Sequence, residues 1–291
     1  MRESVKWCQT TPIGRDETKS VVEADDGDRV VAWISDWLAE GGRVLLMTDY
    51  DGTLTPIVGD PAEAWLPDRV QRDLQTLAHS WQCRVALISG RDLEDLRARA
   101  PLAGTIYAGC HGLEVVGPDF SFCHPEAEAQ RPVLEAVSRT LMARAPGIEG
   151  MRVEPKRLAV AIHYRDVPTA VRPELEAELA RAIQQEGARL SIFHGVKVIE
   201  VLPQVNWNKG ACAMWIYDWA RRTLPAPMLT VYLGDDWTDE HAFEALAGLA
   251  LTVRVGAQPP ASRATYRLND VARVHQLLAA MAAIAGPRSN P

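Results

Sequence analysis

The sequence predicts an α/β protein, with helices covering a mostly parallel sheet and a smaller α+β unit inserted into it. Apolar runs at 44–48, 85–88 and 229–233 each end at polar or turn residues, as buried strands do. Segments with helical spacing separate these runs, and strands that alternate with helices form parallel sheets. Between about 117 and 203 this alternation is lost, which indicates the inserted unit.

The elements of the predicted core follow in order. A helix over 30–38 stops at Gly41-Gly42 and precedes the strand 44–48. The first half then has a helix at 67–79, a strand at 85–88, a helix through Leu93 and Leu96, and a strand at 106–108. The second half has a helix at 209–222, a strand at 229–233, a helix at 239–247, a strand at 249–255 and a helix at 270–285.

The inserted unit has its own pattern of elements. Residues 158–164 are strand-like, 168–187 predict one long helix, and 190–193 pairs with 196–202 as a hairpin. We therefore expect a small α+β cap. The predicted organisation is a mobile tail at 1–27, a core at 28–116 and 204–291, and a cap at 117–203.

Composition narrows the class of partner. The net charge of −7 argues against sequence-independent nucleic-acid binding, which needs a basic surface. No apolar run is long enough to span a bilayer, so we expect no membrane partner. The five cysteines are odd in number and form no CxxC pair. They are typical of reduced thiols, and a cytoplasmic location is expected.

Two carboxylates, Asp49 and Asp51, come directly after the strand 44–48. They are expected at the carboxyl end of the sheet, where open α/β proteins bind ligands. Acids this close repel by roughly 1 to 4 kcal/mol unless a cation or a proton intervenes. This arrangement suits a Mg²⁺ ion and a phosphate group. The structural alternative is a buried strand followed by an Asp-Gly turn.

Three further motifs lie at the expected ends of strands or starts of helices. Ser89-Gly90-Arg91 would direct a hydroxyl and backbone N–H groups at an anion, or Ser89 is a simple helix cap. Lys209 begins a helix, where a cation is costly unless an anion lies nearby; the alternative is a solvated lysine. The segment 234–240 carries four acids, which hold a cation or stabilise a first helical turn.

In this order, DxDGTL, a serine, a lysine and GDDxTDE resemble the haloacid dehalogenase superfamily of phosphatases, which has a Rossmann-like parallel-sheet core. Other stretches are similar to the trehalose-6-phosphate phosphatase family. These stretches are 108–114, 153–156, 162–165, 198–201 and 264–268, and the resemblance runs from about residue 43 to 285.

The resemblance implies a role for each core motif. Asp49 would attack phosphorus to form an aspartyl-phosphate, while Asp51 protonates the leaving sugar oxygen and later deprotonates water. The phosphate would be bound by Ser89, Gly90 and Lys209. Mg²⁺ would be held by Asp49, the backbone carbonyl of Asp51 and Asp235, with Asp236 and Asp239 orienting these ligands.

The resemblance also implies a sugar site in the cap, formed by Glu154, Lys156 and Glu200. Without it, these charges on a strand would be interpreted as a solvated face. His111 is expected to be a loop residue near the domain junction. Leu202 departs from the family pattern, which has a basic residue there, and this leaves fine specificity open.

The implied activity is Mg²⁺-dependent hydrolysis of trehalose 6-phosphate, a small-molecule sugar phosphate. One alternative is a phosphatase for a related glycosyl phosphate, such as glucosylglycerol phosphate. Another is a catalytically silent regulatory partner of a trehalose-phosphate synthase. Such a module would be expected to lose the nucleophile, the acid or the lysine, whereas Asp49, Asp51 and Lys209 are all present.

Overall fold

A computed structural model describes residues 25–185, 190–195, 197–224, 227–257 and 262–285. Its strands are β1 (Arg43–Thr48), β2 (Cys83–Ile88), β3 (Ile106–Gly109), β4 (Glu114–Val116), β5 (Ser121–Cys123), β6 (Arg152–Pro155), β7 (Val160–His163), β8 (Leu190–His194), β9 (Val198–Pro203), β10 (Met228–Gly234), β11 (Leu251–Val255) and β12 (Tyr266–Leu268). Its α-helices are α1 (Gly27–Ala39), α2 (Asp68–His79), α3 (Leu93–Arg99), α4 (Pro125–Ala129), α5 (Arg131–Arg144), α6 (Arg172–Gln185), α7 (Lys209–Thr223), α8 (Trp237–Ala245) and α9 (Val271–Ile284). Within the described ranges, no helix has the length and apolar character that crossing a membrane requires.

The larger sheet has eight strands in the order β12-β11-β10-β1-β2-β3-β4-β5. The six strands from β12 to β3 are parallel, and β4 and β5 add an antiparallel edge. The predicted α/β class with a mostly parallel sheet is therefore confirmed. Because β1 lies at the centre, between β10 and β2, its carboxyl end lies in the middle of the row of carboxyl ends that the parallel strands form.

The strands of this sheet are buried on both faces, as β1 illustrates. Val44 and Leu46 belong to the apolar cluster that the sheet forms with α1, α2 and α9. Leu45 and Met47 belong to the cluster on the opposite face, with α7 and α8. Successive side chains of a strand point to opposite faces, so a continuous apolar run is what two covered faces require.

The second sheet is antiparallel, with the order β6-β7-β9-β8. Ile199 and Val201 of β9 are buried against α5 and α6 in an apolar cluster of their own. Since side chains alternate along a strand, Glu200 and Leu202 take the other face of β9, which points toward the larger sheet. This alternation places a carboxylate of the second unit above the carboxyl end of β1.

The predicted domain boundaries remain a proposal with one adjustment. The expected start of the cap at residue 117 falls in the turn between β4 and β5, and both strands belong to the larger sheet. We therefore propose a cap that begins after Cys123 and ends at Pro203. The prediction missed α4 and α5, which open this cap. Most of the predicted tail, residues 1–24, lies outside the described residues.

Candidate active site

One cleft, with a volume of about 280 Å³, lies between the larger sheet and the second sheet. It brings together sequence-predicted residues from both units. The core contributes Asp49, Asp51, Ser89, Gly90, Lys209, Asp235 and Asp236, and the second unit contributes Glu154, Lys156 and Glu200. Asp239 does not line the cleft but contacts Lys209 beneath it. Asp49 and Asp236, which are 187 positions apart in sequence, therefore meet in one place.

Asp49 and Lys209 form a buried ion pair at the floor of the cleft. The Lys209 ammonium donates to Asp49 Oδ1 at 2.7 Å and to Asp239 Oδ1 at 2.9 Å. Burial raises the pKa of Asp49 well above its usual range, although Lys209 opposes this shift. Burial disfavours the charged form of Lys209, but Asp239 and Asp49 raise its pKa well above normal. The lysine at the start of α7 is thus compensated by anions rather than solvated.

Asp49, Asp235 and Asp239 each offer one oxygen within 4.8 Å of the others. Gly52 has φ +84°, and a Cβ there would collide with the Asp235 carboxylate, so glycine allows the DxDG loop to approach it. Burial, followed by repulsion from Asp239 and Asp236, raises the pKa of Asp235 to about 7. Clustered carboxylate oxygens with too little positive charge nearby fit a hard divalent cation.

The carboxylates of Asp236 and Asp239 accept several hydrogen bonds from the protein. Asp236 caps α8 by accepting from the backbone N–H of Thr238 at 2.7 Å. Asp239 Oδ2 accepts from the backbone N–H groups of Asp235 and Asp236, both at 3.1 Å. Asp239 Oδ1 accepts from Tyr232 at 2.9 Å as well as from Lys209. With its oxygens occupied, Asp239 is better placed to fix the loop than to move with a ligand.

The Asp51 carboxylate is not part of this cluster and pairs with Arg91. The guanidinium donates to both Asp51 oxygens, from Nε at 2.6 Å and from Nη2 at 2.7 Å. Arg91 is itself fixed by Asp95 at 2.7 Å and by the carbonyl of Pro61 at 2.9 Å. We assigned Arg91 no role from the sequence. Its position directly after Ser89-Gly90, in the turn that follows the strand beside β1, was the available signal.

Ser89 and Gly90 directly follow β2 and line the same cleft as Asp49. Ser89 Oγ accepts from the backbone N–H of Arg91 at 3.2 Å, so the hydroxyl is held at the start of the turn. The Gly90 carbonyl accepts from Lys156 Nζ at 2.8 Å. The turn expected to bind phosphate is therefore in direct contact with a residue expected to bind sugar.

The second unit contributes paired charges to the roof of the cleft. Glu200 accepts from Lys156 at 2.6 Å and is 2.8 Å from His111 Nε2. Burial opposes ionisation of Glu200, but Lys156 and His111 together hold its pKa well below its usual range. Glu154 lies 2.7 Å from His163. The sequence-based interpretation placed His111 only in a junction loop and did not foresee its pairing with Glu200.

Leu202 lies on the same face of β9 as Glu200 but in apolar surroundings. It is 6% exposed and belongs to a small buried cluster with Leu113 and Leu158. It also lines a side cavity of about 70 Å³ next to the main cleft. The position where the family pattern has a basic residue is therefore buried among aliphatic side chains in this chain.

Comparisons with known proteins agree with this geometry. Residues 47–272 match the family model for trehalose-phosphatase. The chain is 38% identical over 268 residues to the trehalose-phosphate phosphatase of Mycobacterium marinum, covering 88% of this chain and 68% of that relative. It is also similar to the trehalose-6-phosphate phosphatase of Aspergillus fumigatus, with TM-score 0.57, 28% identity, and coverage of 87% of this chain and 97% of that structure.

A further structure supports the fold alone. The C-terminal domain of the Candida albicans trehalose-6-phosphate phosphatase superposes with TM-score 0.71 at 24% identity, covering 87% of this chain and 96% of that one. The matched family region begins within β1 and ends in α9. It therefore contains the whole cleft described above. The chain belongs to the trehalose-phosphatase family, and the prediction that it is a phosphatase is confirmed.

Proposed function

We propose that this protein hydrolyses trehalose 6-phosphate to trehalose and phosphate. One observation carries the proposal: a single cleft is lined both by the Asp49–Lys209 pair and by the Lys156–Glu200 pair. The first pair suits chemistry at phosphorus. The second offers a donor and an acceptor to the hydroxyl groups of a sugar. Membership in the trehalose-phosphatase family supports the same substrate.

The core residues account for the chemistry. Alkyl phosphates hydrolyse extremely slowly in water, and a covalent intermediate divides the reaction into easier steps. An Asp49 carboxylate oxygen would attack phosphorus, and the bond from phosphorus to the sugar oxygen would break. Asp51 would give its proton to that oxygen and then take a proton from the water that attacks the aspartyl-phosphate. This sequence consumes one water and regenerates both carboxyl groups.

Lys209 and Ser89 are proposed to bind the phosphoryl oxygens. Lys209 Nζ lies 2.7 Å from Asp49 Oδ1, so a phosphoryl group on Asp49 would form next to a buried cation. A fixed positive charge in a water-poor site stabilises the charge that the transition state carries. Arg91 would orient Asp51, because its guanidinium donates hydrogen bonds to both oxygens of that carboxylate.

Mg²⁺ is the proposed cation. Asp49, the backbone carbonyl of Asp51 and Asp235 would hold it, and Asp239 and Asp236 would fix the loop around it. Magnesium prefers a few hard oxygen ligands and keeps several waters. When bound, it would neutralise the phosphoryl oxygens and the clustered carboxylates. The raised pKa of Asp235, caused by burial and neighbouring acids, supports this assignment because these acids need a compensating charge.

The sugar site yields a first testable prediction. Replacing Glu200 by glutamine removes the charge that accepts from Lys156 while keeping the side-chain size. Hydrogen bonds to charged groups contribute about 1.5 to 3 kcal/mol, so KM for trehalose 6-phosphate should rise roughly tenfold or more. KM for p-nitrophenyl phosphate, which has no sugar, should change much less. Steady-state kinetics with both substrates measure the difference.

The matched control for this variant is Glu174→Gln, the same change at an exposed position of α6 in the same unit. It should leave both KM values within twofold of the unmodified protein. Equal rises in KM for the sugar and aryl substrates in Glu200→Gln would remove Glu200 from the sugar site.

A related glycosyl phosphate such as glucosylglycerol phosphate is the second candidate substrate. Leu202 supports this second candidate, because the side chain beside the sugar site is aliphatic and buried rather than basic. A silent regulatory partner of a trehalose-phosphate synthase has less support. The nucleophile, the acid and the lysine expected to be lost in such a partner all line this cleft.

A further inference from the structure

Two exposed aromatic side chains meet across the cleft. Phe193 lies on β8 of the second unit, and Trp237 is the first residue of α8 in the core. Their rings stack with centroids 5.7 Å apart and an interplanar angle of 24°. Phe193 remains 36% exposed and Trp237 43% exposed. Large aromatic surfaces left open to solvent inside a cleft suggest contact with a ligand rather than packing alone.

Each aromatic residue is adjacent to a part of the proposed active site. Trp237 directly follows Asp235 and Asp236 in the acidic loop. Phe193 is the cross-strand partner of Glu200, and residues directly opposite each other in an antiparallel pair share one face. Both rings line the main cleft and the adjacent side cavity. The aromatic surface thus extends from the acidic loop to the sugar-binding carboxylate.

The charged residues of the cleft cannot bind the apolar faces of the sugar rings in a disaccharide phosphate. Lys156 and Glu200 can bind hydroxyl groups, but the faces of a pyranose ring present C–H groups and are apolar. Ligand sites combine a few placed polar groups with apolar and aromatic walls for this reason. Glu154, Lys156 and Glu200 supply polar groups, while the stacked rings of Phe193 and Trp237 supply apolar surface.

We propose that Phe193 and Trp237 form an aromatic wall that packs against the sugar ring farther from the phosphate, and so select a disaccharide phosphate over a monosaccharide phosphate. This inference rests on the proposed function and deepens it. The wall is assembled from both units, so the distal ring is bound only when the second sheet covers the core. A monosaccharide phosphate held at the same phosphate site would lack the ring that makes this contact.

The test compares substrates rather than total activity. Phe193→Leu and Trp237→Leu, made separately, are assayed with trehalose 6-phosphate, glucose 6-phosphate and p-nitrophenyl phosphate. Because each variant loses an aromatic contact with the ligand, the preference for trehalose 6-phosphate over the other two should fall about three- to tenfold in kcat/KM. Trp237→Phe keeps an aromatic ring and should restore most of the preference.

A second readout measures binding without turnover. Trehalose is tested as a competitive inhibitor of p-nitrophenyl phosphate hydrolysis, and its inhibition constant should rise about three- to tenfold in both leucine variants. Trp33→Leu is the matched control, because Trp33 is 45% exposed and packs on Tyr266, away from the cleft. It should change neither quantity.

Equal losses on all three substrates would overturn the proposal, since the aromatic pair would then only hold the two units together. An unchanged preference and an unchanged inhibition constant would overturn it as well. A wrong substrate assignment gives a different result from a wrong aromatic wall. If the substrate assignment is wrong, the unmodified protein itself shows no preference for trehalose 6-phosphate. Failure of the aromatic wall shows only when the variants are compared with that protein.

Discussion

Replacing Asp49 by asparagine is expected to abolish phosphate release and leave the protein folded. An amide cannot attack phosphorus, and removing a covalent nucleophile typically lowers kcat by about 10⁴-fold or more. The backbone N–H of Asp49 donates to the Leu233 carbonyl at 2.9 Å, and this bond is independent of the side chain. Lys209 still donates to Asp239 at 2.9 Å in this variant, so the buried ammonium keeps a carboxylate partner and the fold is maintained.

Phosphate release and thermal unfolding, measured on the same preparation, check this expectation. Asp36→Asn is the matched control, because Asp36 is exposed on α1 and does not line the cleft. It should retain full activity. Residual turnover near that of the unmodified protein in Asp49→Asn would refute the nucleophile assignment.

Replacing Lys209 by methionine should cost both activity and stability. Lys209 is 3% exposed and compensates Asp49 and Asp239, so its loss leaves two buried carboxylates without their cation. Removing one partner of a buried ion pair destabilises a protein by about 3 to 5 kcal/mol. The phosphoryl group would also lose a stabilising charge, which is typically worth about 10²- to 10³-fold in kcat.

The stability loss in Lys209→Met should depend on pH in a defined direction. Burial already raises the pKa of Asp49 above its unfolded value, and removing the lysine raises it further. The folded variant then binds more protons than the unfolded chain, so its stability increases as the pH falls from about 7 to about 5. Urea unfolding at both pH values measures the change.

The double variant Asp49→Asn with Lys209→Met is the control for this interpretation. It removes the ion pair as a unit, so it should lose less stability than the sum of the two single losses. Strict additivity would contradict a direct energetic coupling between the 2.7 Å partners.

The sequence was sufficient to predict the core of the fold because local patterns determine it. The continuous apolar run of β1 requires two covered faces, and the polar residues after β1, β2 and β10 then share one edge of the sheet. Asp49, Ser89 and Asp235, from three of these motifs, line one cleft at that edge. The antiparallel edge formed by β4 and β5 was missed, because strands of three residues carry too few positions to show a period.

The contacts across the cleft could not be predicted, because no local pattern specifies them. Arg91 and Asp51 are 40 residues apart, and His111 and Glu200 are 89 residues apart. Each pair forms only after the sheet or the second unit has brought its elements together. His111 carries one unusual local feature, a left-handed backbone with φ 59°, but a histidine in sequence does not reveal it.

The acidic motif 235–239 was likewise predicted only in part. The family resemblance implied that Asp235, Asp236 and Asp239 would surround a metal ion held in part by Asp49. It did not reveal that Asp239 accepts from Lys209, Tyr232 and two backbone N–H groups. That role depends on a tyrosine from β10 and a lysine from α7, which meet Asp239 only in the folded protein.

Phosphate release from trehalose 6-phosphate, glucose 6-phosphate and glucosylglycerol phosphate, with Mg²⁺ and with EDTA, tests the central claim most directly. We predict a large preference for trehalose 6-phosphate that requires Mg²⁺ and is lost with EDTA. A preference for glucosylglycerol phosphate would contradict the substrate assignment and direct attention to Leu202 and its side cavity. Full activity in EDTA would contradict the metal assignment, and no release from any substrate would contradict the account of this cleft as an active site.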